Sequence, residues 1–294
     1  MNLKVHIFIR WFYIKISLHV ISMNVVIQNQ INRKAMCLEV LTCEHCNLKC
    51  RYCARYSCIA KPRFYELEQF KQDILDLKKT NIKIASLTFS GGEPLMNPNL
   101  IKMIEFARSQ LHDTSLVILT NGIILSSKPL EYFKTLSYLK VGIIYTQYGK
   151  TDTKYHVLVN KCRIAKVQIV NIGNISDCPT VRTTFNQNKI SKKCFSDAHS
   201  NKQHCTQDCT ALYNGKIYQC GKTAFNHVLN EYFKTDFEVT NKDYLEIKDL
   251  KSFEQFKDFI SKETPFCRYC GAPCKSNLEW ERVNKEVPLS DYVV

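Results

Sequence analysis

Three closely spaced cysteines constrain this chain more than any other feature. Cys46, Cys50 and Cys53 stand in the spacing C-x3-C-x2-C within the stretch CEHCNLKCRYCARYSC at 43–58, and Tyr52 directly precedes the last of them. Thiolates this close on one loop can each take one iron of a cubane cluster. They leave the fourth iron without a protein ligand, as a catalytic metal site keeps an open position where a structural one is closed. The fifteen cysteines of the chain bunch at 37–58, 205–220 and 267–274. An odd number excludes a fully paired disulfide framework, and bunching at short spacing reads as metal binding in a reducing, cytoplasmic setting.

The elements around the loop place it. Ala35–Val40 is a short apolar run that reads as the first strand and feeds straight into the cysteines. Leu67, Phe70, Ile74 and Leu77 fall at helical spacing and predict a helix over about 66–79. A β-rich run at 84–89 ends in Ser90-Gly91-Gly92-Glu93-Pro94, and Asn97 with Pro98 reads as the cap and first position of a helix to about Gln110. A strand at 115–119 ends in Thr120-Asn121-Gly122. A helix over 128–136, a strand over 138–145, a helix over 153–162 and a strand over 165–172 complete the alternation. Such β-α alternation with short loops implies a parallel sheet, whose ligands bind at the C-terminal strand ends. The cysteine loop, the GGEP segment and the TNG segment all follow strands and so share one rim.

From about Asn174 the pattern gives way to a polar stretch through 204. Asn214-Gly215 then sits between β-forming residues, a two-residue hairpin signal. Leu250, Phe253, Phe256, Phe259 and Ile260 form an amphipathic helix that leads into Cys267-Arg268-Tyr269-Cys270.

With 294 residues, 45% hydrophobic and 23% charged, the chain has the composition of a globular protein of one or two domains. Its net charge of +14 suits an acidic electron carrier, a nucleotide-linked substrate or nucleic acid, and equally a basic solvated surface. Residues 1–38 lack Asp and Glu, but Arg10 and Lys15 interrupt the apolar run, and Ile16–Asn32 carries His19, Asn24, Gln28, Asn29 and Gln30. That is too polar for a membrane-spanning helix. Residues 1–34 read as a dispensable extension, with structure starting near Met23 or Met36.

Taken together, Cys46-x3-Cys50-x2-Cys53 after the first strand, Tyr52 before the third cysteine and Gly91-Gly92-Glu93-Pro94 after the second strand resemble the radical S-adenosylmethionine (SAM) enzymes. The resemblance spans about 36–172. It implies an α/β fold, a partial (β/α)6 barrel, with a 4Fe–4S cluster on Cys46, Cys50 and Cys53 whose open iron binds SAM. Electron transfer then releases a 5′-deoxyadenosyl radical that takes hydrogen from the substrate. It implies further that Gly91, Gly92, Glu93 and Pro94 face the methionine amino group, the glycines giving close approach. Thr120, Asn121 and Gly122 would line the SAM site, and Tyr52 would lie near the adenine; Gln147 and Tyr148 are weaker candidates.

Cys205-x9-Gly215-x4-Cys220 with Cys267-x2-Cys270 resembles the twitch/SPASM-like extension, a small C-terminal α+β domain. These four cysteines would hold an auxiliary 4Fe–4S cluster. Cys209 can replace Cys205, Cys274 can replace Cys267 or Cys270, and a zinc site from the same residues is the structural alternative. Cys37 and Cys162 read as small apolar fillers, Cys43 and Cys58 as flanking residues, and His45 as solvent-facing. The expected division is 1–34 extension, 35–175 barrel core, 176–204 linker or crossover, and 205–294 auxiliary-cluster domain.

The layout resembles SAM-dependent dehydrogenases of aminocyclitols and radical SAM proteins associated with surface polysaccharides. This implies oxidation or rearrangement of a sugar-like or cyclitol substrate, with a flavodoxin or ferredoxin-type electron donor and without nucleic acid as partner. A peptide-modifying maturase and a non-catalytic iron–sulfur or zinc protein are the competing expectations.

Overall fold

The computed structural model describes residues 30–148, 155–171, 181–182, 184–187, 190, 198–203, 205, 210–270 and 276–293. Five parallel strands carry the core: β1 (Ala35–Leu41), β2 (Lys83–Ser90), β3 (Ser115–Thr120), β4 (Val141–Tyr145) and, after the two-residue β5 (Gln147–Tyr148), β6 (Ile169–Asn171). Between them run α1 (Leu67–Lys79), α2 (Leu100–Gln110), α3 (Ile123–Ser127), α4 (Leu130–Tyr138) and α5 (Tyr155–Ala165). This is the expected α/β, partial-barrel architecture. Every residue of β1 is buried, as suits a central parallel strand covered on both faces. Phe70, Ile74 and Leu77 of α1 and Met103, Ile104 and Ala107 of α2 turn their apolar stripes onto this sheet.

Downstream, β7 (Val181–Arg182) pairs with β5, and β8 (Thr184–Gln187) pairs with a late strand, Ser276–Glu279. After α6 (Ala198–Gln203), the Asn-Gly signal is realised as a hairpin. In it β9 (Thr210–Tyr213) and β10 (Lys216–Tyr218) flank Asn214 and Gly215, both in left-handed backbone at φ 45° and 76°. The hairpin joins the main sheet, β9 lying parallel to β1. Then come α7 (Gly221–Ala224), α8 (Asn226–Phe233), β11 (Tyr244–Glu246), α9 (Phe253–Ser261) and the late strand, β12. The large sheet therefore runs β11-β10-β9-β1-β2-β3-β4-β6.

Several local expectations are corrected. Asn97 does not cap α2: its Nδ2 donates to Thr42 O (2.7 Å), its Oδ1 accepts from the Asn99 N–H (2.8 Å), and the helix starts two residues after Pro98. The helix expected at 128–136 runs instead as Leu130–Tyr138 with Pro129 at its N-cap, and the short α3, C-capped by Lys128, precedes it. Tyr138 closes α4 instead of opening β4, and Ala165 closes α5 instead of opening β6. In both places a lysine in left-handed backbone, Lys140 or Lys166, makes the stop. Gln30 belongs to the fold although it precedes the expected core: it is buried and its Oε1 accepts the Cys37 N–H at 2.8 Å. Met23, Cys178, Cys194, Cys209 and Cys274 lie outside the described residues. Among those described, no helix is long and apolar enough to cross a membrane.

Candidate active site

Four strand ends deliver the site. β1 leads into the cysteine loop, β2 into Gly91–Pro94, β3 into Thr120–Gly122, and β4 into Thr146–Tyr148. A cavity of about 250 Å³ opens among them, and Cys46, Cys50, Cys53, Gly91, Gly92, Glu93, Thr120 and Asn121 all line it. The sequence-predicted residues are thus gathered at one rim, with three exceptions: Tyr52, Pro94 and Gly122 are not part of the lining. Tyr52 lies against the Arg51 guanidinium, 4.8 Å from the ring centroid. Pro94 opens a buried 3-10 turn. Gly122 caps α3 at φ 77°, where a Cβ would meet the Tyr145 ring at 2.4 Å.

The two glycines of the GGEP segment serve a closer neighbour than a ligand. A Cβ on Gly91 would stand 2.4 Å from Cys43 O, and one on Gly92 would stand 1.9 Å from His45 O. Their role in this geometry is to let the strand end lie backbone to backbone against the cysteine loop; Gly92 N–H donates to Cys43 O at 2.8 Å and Glu93 N–H to His45 O at 3.1 Å. Glu93 lines the cavity and is fixed by donors from β3 and its own turn. Its carboxylate accepts from Thr120 Oγ1 (2.7 Å), the Asn121 N–H (3.0 Å) and the Leu95 N–H (3.3 Å), and it is buried. Burial pushes its carboxyl up to about 7 against those donors. Asn121 Nδ2 in turn reaches Asn47 Oδ1 (2.8 Å) and Cys46 Sγ (3.6 Å). One hydrogen-bonded chain therefore ties all three sequence motifs together.

The remaining cysteines of the loop have other partners. Cys43 donates to Glu93 O (3.0 Å), and burial first, then Glu93, pushes its thiol up to about 12. Cys58 pairs with the Tyr292 hydroxyl at 3.0 Å. Cys37 and Cys162 are buried, as expected of apolar fillers. His45 is half-buried, edge-on to Phe64, with Nδ1 enclosed and unpaired, so it is not the solvent-facing residue expected. Burial also pushes the Cys46 thiol up and the Cys50 thiol to about 12.

Sequence reading missed several lining residues: Arg55, Ser57, Thr146 and Lys222, while Tyr148, a weaker candidate, does line the cavity. Arg55 ion-pairs with Glu39 of β1 and donates to Gly91 O at 3.1 Å. Lys222 arrives with Gly221 from the segment following β10, directly beside Cys220, and a Cβ on Gly221 would meet Arg55 Nε at 3.0 Å. Arg55 and Ser57 lie in the cysteine stretch and Thr146 directly follows β4, but no spacing marks them, and Lys222 reaches the site from a distant segment.

The expected auxiliary cysteines come together from three elements. Cys205 follows α6, Cys220 caps α7, and Cys267 and Cys270 lie on and just after the 3-10 turn Pro265–Tyr269. Asn201 Nδ2 holds the first segment to the last through Cys267 O at 2.8 Å. Lys202 lies within electrostatic range of Cys205, Cys267 and Cys220, and burial holds its ammonium below the usual lysine range.

The donor chemistry suits iron–sulfur clusters at both places. The buried hydroxyls of Tyr56 and Ser57 have no hydrogen-bond partner; Ser57 lines the cavity, and Tyr56 lies within electrostatic range of Cys220, Cys270 and Cys53. Orphaned buried donors beside clustered thiols fit a polar group between them. Among the described residues no three His, Cys, Asp or Glu side chains close on a single ion, where tetrahedral thiolates stand about 3.8 Å apart. A cubane, with one iron per thiolate, spreads its ligands wider.

Residues 40–164 match the family model described as Radical SAM superfamily. Among curated relatives, a GTP 3′,8-cyclase of Streptomyces coelicolor is 30% identical over 101 residues, 33% of this chain and 29% of that protein. An Fe-coproporphyrin III synthase of Methanosarcina barkeri is 25% identical over 166 residues, 51% of this chain and 41% of that protein. The chain thus covers less than half the length of these relatives. Among solved structures, BtrN in complex with AdoMet and 2-DOIA aligns with a TM-score of 0.52 at 16% identity, over 80% of this chain and 92% of that one. That likeness is one of fold.

Proposed function

We propose, from the match of residues 40–164 to the radical SAM superfamily, that this chain acts as a radical SAM enzyme through two iron–sulfur clusters. Radical SAM domains use a 4Fe–4S cluster and SAM; Cys46, Cys50 and Cys53 would hold that cluster, and Cys205, Cys220, Cys267 and Cys270 the auxiliary one. The proposed division keeps 35–175 as the core and 205–294 as the auxiliary-cluster region. The observation that carries the reading is the single cavity into which the three cysteines, the Glu93-fixed strand ends and Gly221–Lys222 all project.

When bound, the first cluster supplies the electron that cleaves SAM to a 5′-deoxyadenosyl radical. The protein's own part is positioning. Glu93 locks the ends of β2 and β3 in register, Asn121 holds the base of the cysteine loop, and Arg55 braces Gly91 from the opposite side. Gly91 and Gly92 line the cavity where the methionine end of SAM would sit. The substrate is a small molecule, sugar-like or cyclitol, and a cluster held by Cys205, Cys220, Cys267 and Cys270 would supply the acceptor for the electron released in its oxidation. The sequence resemblance to aminocyclitol dehydrogenases supports this class, as does the fold shared with BtrN, which was crystallised with AdoMet and 2-DOIA. Gly221 and Lys222, which follow Cys220 in the chain and line the cavity, support an acceptor at that place.

Anaerobic reconstitution tests the proposal. About eight irons per chain are expected, with 5′-deoxyadenosine formed on addition of reductant and SAM. Cys46→Ala should abolish 5′-deoxyadenosine, and Cys220→Ala should lose about four irons while the first cluster stays. Loss of both clusters from folded Cys220→Ala would refute the division of ligands, and a fully loaded chain that never cleaves SAM would refute the activity.

A further inference from the structure

A segment more than two hundred residues downstream closes on the cysteine loop. Arg51 N–H donates to Glu281 O (3.0 Å), Val283 N–H donates to Lys49 O (2.8 Å), and Cys50 bridges to Arg282 between them. Side chains reinforce the pairing: Arg51 holds both Glu281 and Asp291, and Arg282 Nη2 donates to Asn47 O at 3.0 Å. Main-chain register thus sets Trp280 beside Cys50, and its Nε1–H donates to Cys50 Sγ at 3.2 Å. An indole nitrogen can only donate, so the sign of its effect on the sulfur is fixed.

We propose that Trp280 is a positioning residue for the first cluster, its indole N–H drawing charge from the Cys50 sulfur and so raising the cluster's reduction potential. This rests on the reading that Cys46, Cys50 and Cys53 hold that cluster. Hydrogen bonds to ligand sulfurs stabilise the more negative, reduced state, and partners outside the ligand set also orient the ligands themselves. The same contact makes Trp280 a reporter, since the chain has only one other tryptophan, Trp11.

Trp280→Phe keeps a ring and removes the donor. Wild type and variant, both reconstituted anaerobically, are titrated electrochemically while the EPR signal that responds to SAM is followed. The expected result is equal iron and a more negative potential for that signal in Trp280→Phe, with the second cluster unmoved. Equal potentials at equal iron overturn the proposal. Trp11→Phe supplies a measurement that does not depend on altering Trp280: its remaining emission should fall as iron is loaded, and emission indifferent to loading also overturns it. If Cys46→Ala retains as much iron as wild type, the cluster assignment itself fails and takes the inference with it.

Discussion

At Gly92 a single missing atom decides how two loops meet. A Cβ there would lie 1.9 Å from the carbonyl oxygen of His45, backbone against backbone, and no side-chain rotation relieves such a contact. Gly92→Ala must therefore separate the β2 end from the cysteine loop. The expected cost is about 1–3 kcal/mol in denaturant unfolding of the apoprotein, together with poorer iron retention at the first site; unchanged stability would show that the loop gives way freely. The sequence made Gly91 and Gly92 legible as positions where a Cβ is not tolerated, but not what approaches them. A run of residues shows that bulk is absent, whereas the neighbour that needs the space comes from a different strand end. The same holds for Glu93: its place in the motif was legible, and the orientation of its carboxylate was set by Thr120 and Asn121, which only the folded sheet brings near.

Among elements, the β9–β10 hairpin shows how local chemistry and long-range pairing divide the work. Asn214 and Gly215 supply the left-handed turn, and β9 then extends the main sheet from the outer edge of β1. A Cβ on Gly215 would have only ordinary contacts, 3.7 Å from Gln69 and 3.8 Å from Asp73, so Gly215→Ala tests backbone conformation alone. It should cost about 1–2 kcal/mol in unfolding experiments while iron loading stays complete. The turn was readable because Asn-Gly has few other uses; the pairing with β1 was not, since nothing near Thr210 names its partner. Helix existence was equally legible from the spacing of Phe70, Ile74 and Leu77. The starts of β4 and β6 were misplaced because Lys140 and Lys166 stop their helices, and lysine carries none of the left-handed signal that glycine or asparagine would give.

For the molecule as a whole, Glu44 is a junction between the cysteine loop and the hairpin region. Its buried carboxylate accepts from His227 Nε2 (2.7 Å), Tyr213 Oη (2.9 Å) and Arg63 Nη1 (3.2 Å). Burial works to raise this carboxyl, but His227, Tyr213 and Arg63 together hold it below the usual carboxylate range. A lowered folded value means that the stabilisation is complete above the unfolded carboxyl's range and is lost as pH falls through the folded one. Glu44→Gln should therefore cost about 1–3 kcal/mol at neutral pH and progressively less in acid, as read from unfolding curves across pH. A penalty independent of pH would mean that shape, not charge, joins the two regions. The pairing of 280–291 with the loop at 47–51 bears on how the protein is made. Cys50 and Trp280 are 230 residues apart. At roughly 5–20 residues per second of synthesis, the loop leaves the ribosome about ten to fifty seconds before its clamp exists. Iron arriving within that interval meets thiols with no indole donor and an Arg51 with neither carboxylate. The closed loop belongs only to chains translated past residue 291, so connectivity makes the contact between Trp280 and Cys50 a late one.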